Sequence, residues 1–371
     1  MIGRMAAFAI AGISIVAQAN GPAANSRTSV TADGHLQVPA MDIPPSTFLS
    51  AEFLQAYKKF LVDIRDRPPP PPLNAPKAEW DKFDAIFDRV VHGDALKWLE
   101  AHDSVKVEQA TIGDVHVGIF TPKTGVSAVN RNRILINLHG GGFFYGRGLV
   151  AMKVEAIPVA GLGRIKVIGI DYRMAPYAKF PAASEDVEKV YRALLENYKP
   201  EQSGIYGCSA GGTLAGQAIA WLAAKGLPRP GAVGIFCAAP VAYGEEGDSS
   251  MWGVSGMPAG PQFQIAATGN QRADLTGYYE GIDVADPLAY PGNSDTVLAK
   301  FPPTLLLSGT RSREMSAAIV AHARFLKLGV DSSLYLMEGG WHGAHVNAPE
   351  APETRDALSH VVRWFDSRLA K

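Results

Sequence analysis

The residues Gly207-Cys208-Ser209-Ala210-Gly211-Gly212 constrain this chain more than any others. Every one of the six is small, and a serine sits at the centre of a Gly-x-Ser-x-Gly frame. Such a run lets a strand turn sharply into a helix where both approach neighbouring backbone closely. The flanks agree. Gly204–Gly207 reads as the end of a strand, and Gly211–Lys225 as a helix of small and apolar residues.

The same alternation recurs along the chain. Short strands are expected at 105–111, 115–121, 133–138, 166–171, 233–239, 304–308 and 333–337. Helices are expected at 183–198, 314–328 and 352–369. Strands alternating with helices define an α/β class: a mostly parallel sheet flanked by helices on both faces. Ligands in such a fold bind beyond the carboxyl ends of the strands.

At 371 residues, with 47% hydrophobic and 19% charged residues, the chain suffices for one large core. A net charge of -1 points to no nucleic-acid surface. The first nineteen residues read as an export signal: Arg4, an apolar run Met5–Val16, and the small-x-small site Ala17-Gln18-Ala19. The run is too short for a typical membrane span, and the implied location is periplasmic or secreted. No later segment is apolar for long enough to cross a bilayer. The expected organisation is a signal peptide at 1–19, a linker and N-terminal helices at 20–99, and a catalytic domain at 100–371. Within the second part, helices are expected at 46–59, capped by Ser50, and at 78–92, where Trp80, Phe83, Ile86 and Phe87 recur at helical spacing. Between them Pro68–Pro72 is stiff and extended. The only cysteines, Cys208 and Cys237, fall at the ends of buried parallel strands and are expected to be free thiols.

Three loops carry chemistry. Ser209, displayed at the positive end of the following helix, is a candidate nucleophile. His139-Gly140-Gly141-Gly142-Phe143 follows a buried strand, and its glycines can turn N–H groups toward one point. Acyl transfer needs such donors where the oxyanion forms. The candidate donors are Gly140, Gly141 and Gly142, joined by the N–H of Ala210. Gly340-Trp341-His342-Gly343 follows the last strand and offers His342 as general base, with His345 as a rival that reads as a surface residue. His139 is expected to stabilise its loop, and Cys208 to point beneath the sheet. Asp171 and Arg173 are expected to share a buried network. Phe143, Phe144, Tyr145, Trp252 and Trp341 are candidates to line a substrate pocket or simply to pack.

These residues resemble the hormone-sensitive-lipase-type branch of the α/β-hydrolases, the bacterial family IV esterases. The resemblance spans Val105 to Leu369. It includes Asp171-Tyr172-Arg173-Met174-Ala175-Pro176, Phe180-Pro181-Ala182-Ala183, Asp286-Pro287-Leu288 and Phe301-Pro302-Pro303-Thr304. It implies the α/β-hydrolase fold with an N-terminal helical cap, and a serine carboxylesterase acting on small to medium acyl esters, lactones included. It implies neither metal nor organic cofactor, and it leaves a homodimer open.

The chain departs from the family at the third catalytic member. Similar sequences read Gly-Thr-Arg-Asp after the strand at 304–308, and this one reads Gly309-Thr310-Arg311-Ser312. Serine cannot stabilise an imidazolium by charge. Glu314, two residues on and longer than Asp, is the preferred acid. Ser312 with a water, Asp283, Asp295 or no acid at all stay open, and with them a binding protein that has lost turnover. A peptidase or transferase on the same fold is a weaker third reading.

Overall fold

The computed structural model describes residues 28–34, 36–37, 42–66, 69–240, 249 and 277–370. The expected export signal lies outside them, as do Trp252 and most of the long loop around it. The chain divides between Pro44 and Pro45. Ahead of that point β1 (Ser29–Val30) pairs with β2 (Leu36–Gln37) in a short antiparallel ribbon.

From Pro45 onward the first elements are α1 (Ala51–Asp66), α2 (Lys77–Phe87) and α3 (Gly93–His102), with one π-helical turn, Asp88–His92, between the last two. Ser50 does cap α1: its Oγ accepts the N–H of Phe53 at 3.1 Å. The same residue ties the helix to the body, donating from N and Oγ to Glu353 at 2.6 and 2.8 Å.

An eight-stranded sheet follows. Its strands are β3 (Val105–Ile112), β4 (Val115–Pro122), β5 (Ile134–Leu138), β6 (Lys166–Ile170), β7 (Ser203–Cys208), β8 (Ala232–Phe236), β9 (Thr304–Gly309) and β10 (Ser332–Met337). The order across the sheet is β10-β9-β8-β7-β5-β6-β4-β3. Only β4 runs against its neighbours, antiparallel to both β3 and β6. The connecting helices are α4 (Leu149–Gly163), α5 (Ala182–Leu194), α6 (Ala210–Ala224), α7 (Asp295–Leu298), α8 (Met315–Lys327), α9 (Ala344–Asn347) and α10 (Pro352–Arg368).

The two-residue period of the strands divides their side chains between two cores. Ile134, Ile136 and Leu138 point to the face covered by Val187 of α5, Leu214 of α6 and Phe325 of α8. Leu135, Val167 and Leu305 point to the other face, with α4, α10 and Phe53 of α1. All five residues of β5 are buried, as suits a central parallel strand. Each such aliphatic or aromatic side chain contributes roughly 1.5–3 kcal/mol by leaving water.

One connecting helix, α4, escapes a reading by periodicity. Helix α4 is buried on nearly every side, so it carries no polar stripe against which an apolar one could be read. Among the described residues no helix is long and apolar enough to cross a membrane.

Candidate active site

Four loops at the carboxyl end of the sheet converge on one point. They follow β5, β7, β9 and β10. Ser209 sits between β7 and α6 with φ +58°, a left-handed conformation that a non-glycine side chain rarely adopts. The turn holds because its N–H donates to the carbonyl of Phe236 at 2.8 Å and α6 begins at once. The crossing is too tight for larger residues: a Cβ on Gly211 would stand 1.8 Å from the carbonyl oxygen of Leu138. That contact is the physical content of the small-residue motif.

Ser209 Oγ lies 2.9 Å from His342 Nε2. The other ring nitrogen, Nδ1, lies 3.0 Å from Glu314 Oε2. With Nδ1 protonated, the ring donates to the carboxylate and accepts from the serine hydroxyl. Burial pushes Glu314 upward, but His342 and the hydroxyl of Ser312 outweigh it and hold the carboxyl at about 2. Burial pushes His342 down, and Glu314 more than reverses that, so the imidazole titrates above its ordinary value.

Ser312, which stands where similar sequences carry Asp, is buried and donates its Oγ–H to Glu314 Oε1. It serves the carboxylate rather than the histidine. Asp283 caps its own turn, accepting the N–H of Ala285 at 2.9 Å, and Asp295 pairs with Arg324 at 2.7 Å. The carboxylate that meets His342 is that of Glu314.

On the glycine loop, Gly141 and Gly142 adopt φ of +131° and +60°. Among the described residues their N–H groups meet no acceptor, nor does that of Ala210 at the first position of α6. Gly140 corrects the expectation. Its N–H donates to Glu155 Oε1 at 2.8 Å and so is turned into the body rather than toward an oxyanion.

Glu155 is the residue that sequence reasoning missed. From inside α4 its carboxylate also accepts Asn137 Nδ2 at 3.0 Å and the N–H of Cys208 at 3.3 Å. One buried side chain thus joins the ends of β5 and β7. Burial raises its carboxyl to about 7. Its signal was present: it is the only charged residue between Val154 and Gly163.

The remaining candidates sort plainly. His139 is buried, stacks on Tyr172 with ring centroids 4.4 Å apart, and bonds through Nδ1 to the carbonyl of Gly140 at 2.7 Å. Cys208 and Cys237 are free and buried. His345, expected at the surface, is buried as well. Asp171 and Arg173 form no shared network: Asp171 accepts the N–H of Gly148, while Arg173 pairs with the buried Asp186 and the exposed Glu185. Trp341 packs against Phe53, Tyr57 and Phe60 of α1, with centroids 4.9–5.7 Å away. Phe143 stacks on Tyr278 at 4.5 Å, and Phe144 and Tyr145 meet Trp80, Phe83 and Phe87 of α2. These aromatics pack.

Residues 135–346, more than half of the chain, match the family model described as alpha/beta hydrolase fold. An acetyl-hydrolase of Streptomyces hygroscopicus is 31% identical over 253 residues, covering 66% of this chain and 80% of that protein. Among solved structures, esterase E25 superposes with a TM-score of 0.74 at 27% identity, covering 90% of this chain and 99% of its own. EstE5, soaked with p-nitrophenyl butyrate, gives 0.69 at 25% identity, covering 87% of this chain and 100% of its own. Fold and family match define an α/β-hydrolase. Within that class the chain belongs with the esterases and acetyl-hydrolases and is a carboxylic ester hydrolase.

Proposed function

We propose that this esterase works through an acyl-enzyme on Ser209, with His342 as base and Glu314 as the acid that orients it. The observation that carries the reading is the unbroken chain from Ser209 Oγ to His342 Nε2 at 2.9 Å and from His342 Nδ1 to Glu314 at 3.0 Å.

In the first step the serine oxygen attacks the ester carbonyl while His342 Nε2 takes its proton. The imidazolium that forms lies against a carboxylate held ionised. The negative charge on the carbonyl oxygen develops against the N–H groups of Gly141, Gly142 and Ala210. Each such donor is worth roughly 3–4 kcal/mol to the transition state. His342 then protonates the leaving alcohol, and water resolves the acyl-enzyme along the same path. A carboxylate in contact with the base favours turnover over the alternative of a ligand-holding protein, which rested on the serine at position 312.

The substrate class we infer is esters of small to medium acyl groups; the acetyl-hydrolase relative supports the short end. Export to the periplasm or beyond belongs to the same proposal and rests on the first nineteen residues. The test is turnover of p-nitrophenyl acetate and butyrate by the purified chain beside Ser209→Ala. The expected result is hydrolysis by the native chain and a loss of about 10⁴-fold or more in the variant. Equal activity in both would remove Ser209 as the nucleophile.

A further inference from the structure

Beneath the nucleophile three ligating side chains from three elements meet. Cys208 ends β7, Cys237 follows β8, and His345 lies in α9. Their Sγ, Sγ and Nδ1 atoms all lie within 4.8 Å of one another, and all three residues are buried, at 5%, 4% and 3% exposure. None of them takes part in the catalytic chain described above.

We propose that Cys208, Cys237 and His345 form a binding site for a thiophilic divalent cation of the Zn²⁺ class, one that ties the nucleophile's strand to the loop of the base.

The geometry suits such an ion. Cys237 Sγ stands 3.6 Å from His345 Nδ1. A tetrahedral ion with metal–sulfur bonds near 2.3 Å and metal–nitrogen bonds near 2.0–2.1 Å separates sulfur and nitrogen ligands by about 3.6 Å. Cys237 is held in a left-handed conformation at φ +50°, a backbone cost that a plain core cysteine does not require. A cavity of about 10 Å³ adjoins His345, lined also by Glu155, Tyr206 and Phe236. Two sulfurs and a nitrogen select zinc or its spectroscopic surrogate cobalt over calcium or magnesium, which take oxygen ligands. On binding, each thiol that still carries its proton releases it to solvent as the sulfur–metal bond forms. The neutral imidazole donates its lone pair without loss of a proton.

The position gives the site a consequence. Cys208 is bonded directly to Ser209, and His345 lies three residues beyond His342. An ion here therefore fixes the separation of nucleophile and base without touching substrate. It stabilises the native chain, because the unfolded chain does not hold the three ligands together.

Stoichiometric Co²⁺ added to the reduced full-length chain tests this. The expected result is one equivalent bound, with a thiolate-to-cobalt charge-transfer absorption in the near ultraviolet and visible bands of tetrahedral intensity. Zn²⁺ should displace the Co²⁺ and raise Tm by several degrees. In Cys237→Ser and in His345→Gln the charge-transfer absorption should weaken or vanish, with the native circular dichroism spectrum as the control on folding. Absence of a charge-transfer band in the native chain would overturn the proposal whether or not the variants fold. So would a band that survives in the Cys208→Ser/Cys237→Ser double variant. Ester turnover is no part of the readout, so the outcome stands apart from the roles of Ser209 and His342.

Discussion

At the scale of single residues, the shift from Asp to Glu is also a shift of two positions. Gly309-Thr310-Arg311 carries the chain out of β9, and the carboxylate enters from Glu314, at the threshold of α8. The longer side chain covers the added distance, and Ser312 becomes a donor to it. A second residue-scale feature is Glu155, which presents two oxygens to three donors: Gly140 N–H, Asn137 Nδ2 and Cys208 N–H. Glutamine at this position keeps one acceptor. Asn137 can turn its unpaired Oδ1 to meet the new amide, but the Cys208 N–H then has no acceptor. Glu155→Gln is expected to cost about 1–3 kcal/mol in urea unfolding. It should lower kcat more than it raises KM, because the glycine loop and the serine turn lose their common anchor. Unchanged stability and turnover would show that the loops hold each other without it.

At the scale of elements, the N-terminal helices hold the catalytic loops from outside. Helix α1 buries Phe53 against Trp341, the neighbour of His342. Helix α2 packs Trp80 against Phe144 of the glycine loop, and its Asp84 pairs with Arg147 at 2.5 Å and accepts the N–H of Gly146 at 3.3 Å. Phe53→Ala should cost about 3–5 kcal/mol by the cavity it opens. It should also reduce kcat, since Trp341 is then free to shift the loop that carries the base. A stability loss with native kcat would confine α1 to a structural role.

What was legible in the sequence follows from the same physics. The sheet was readable because buried parallel strands such as β5 and β9 are largely apolar runs between turn residues. The nucleophile turn was readable because its crowding admits only small side chains. Helix α4 was not, because a helix apolar all round has no period. The inward turn of the Gly140 N–H was not readable either, because its partner stands fifteen residues away on that same helix. His345 was misjudged for a related reason: a short loop reads as surface until the fold packs it against Phe236 and Cys237.

At the scale of the whole molecule, the sheet divides the work by strand. The glycine loop comes from β5, the nucleophile from β7, the acid from beyond β9 and the base from beyond β10. All four leave at the carboxyl ends, and β5 and β7 lie side by side at the centre of the sheet. Two cores, one on each face, clamp those strands, so the relative positions of the four loops depend on the whole sheet rather than on any one loop. Activity and global unfolding should therefore be lost together in urea.

The central claim is that Glu314 orients and charges the base, and the pH dependence of kcat/KM tests it most directly. His342 must be neutral to accept the serine proton. Its imidazole titrates above the ordinary 6.5 because of Glu314. The native chain should therefore lose activity on acidification through a pKa above 6.5. Glu314→Gln removes the charge and leaves the burial that lowers the imidazole. Its acid limb should move to lower pH, while its rate at the plateau falls by a factor on the order of 10⁴, the loss seen when a triad Asp becomes Asn. A Glu314→Gln enzyme with native rate and an unshifted acid limb would contradict the account and send the search for the acid elsewhere.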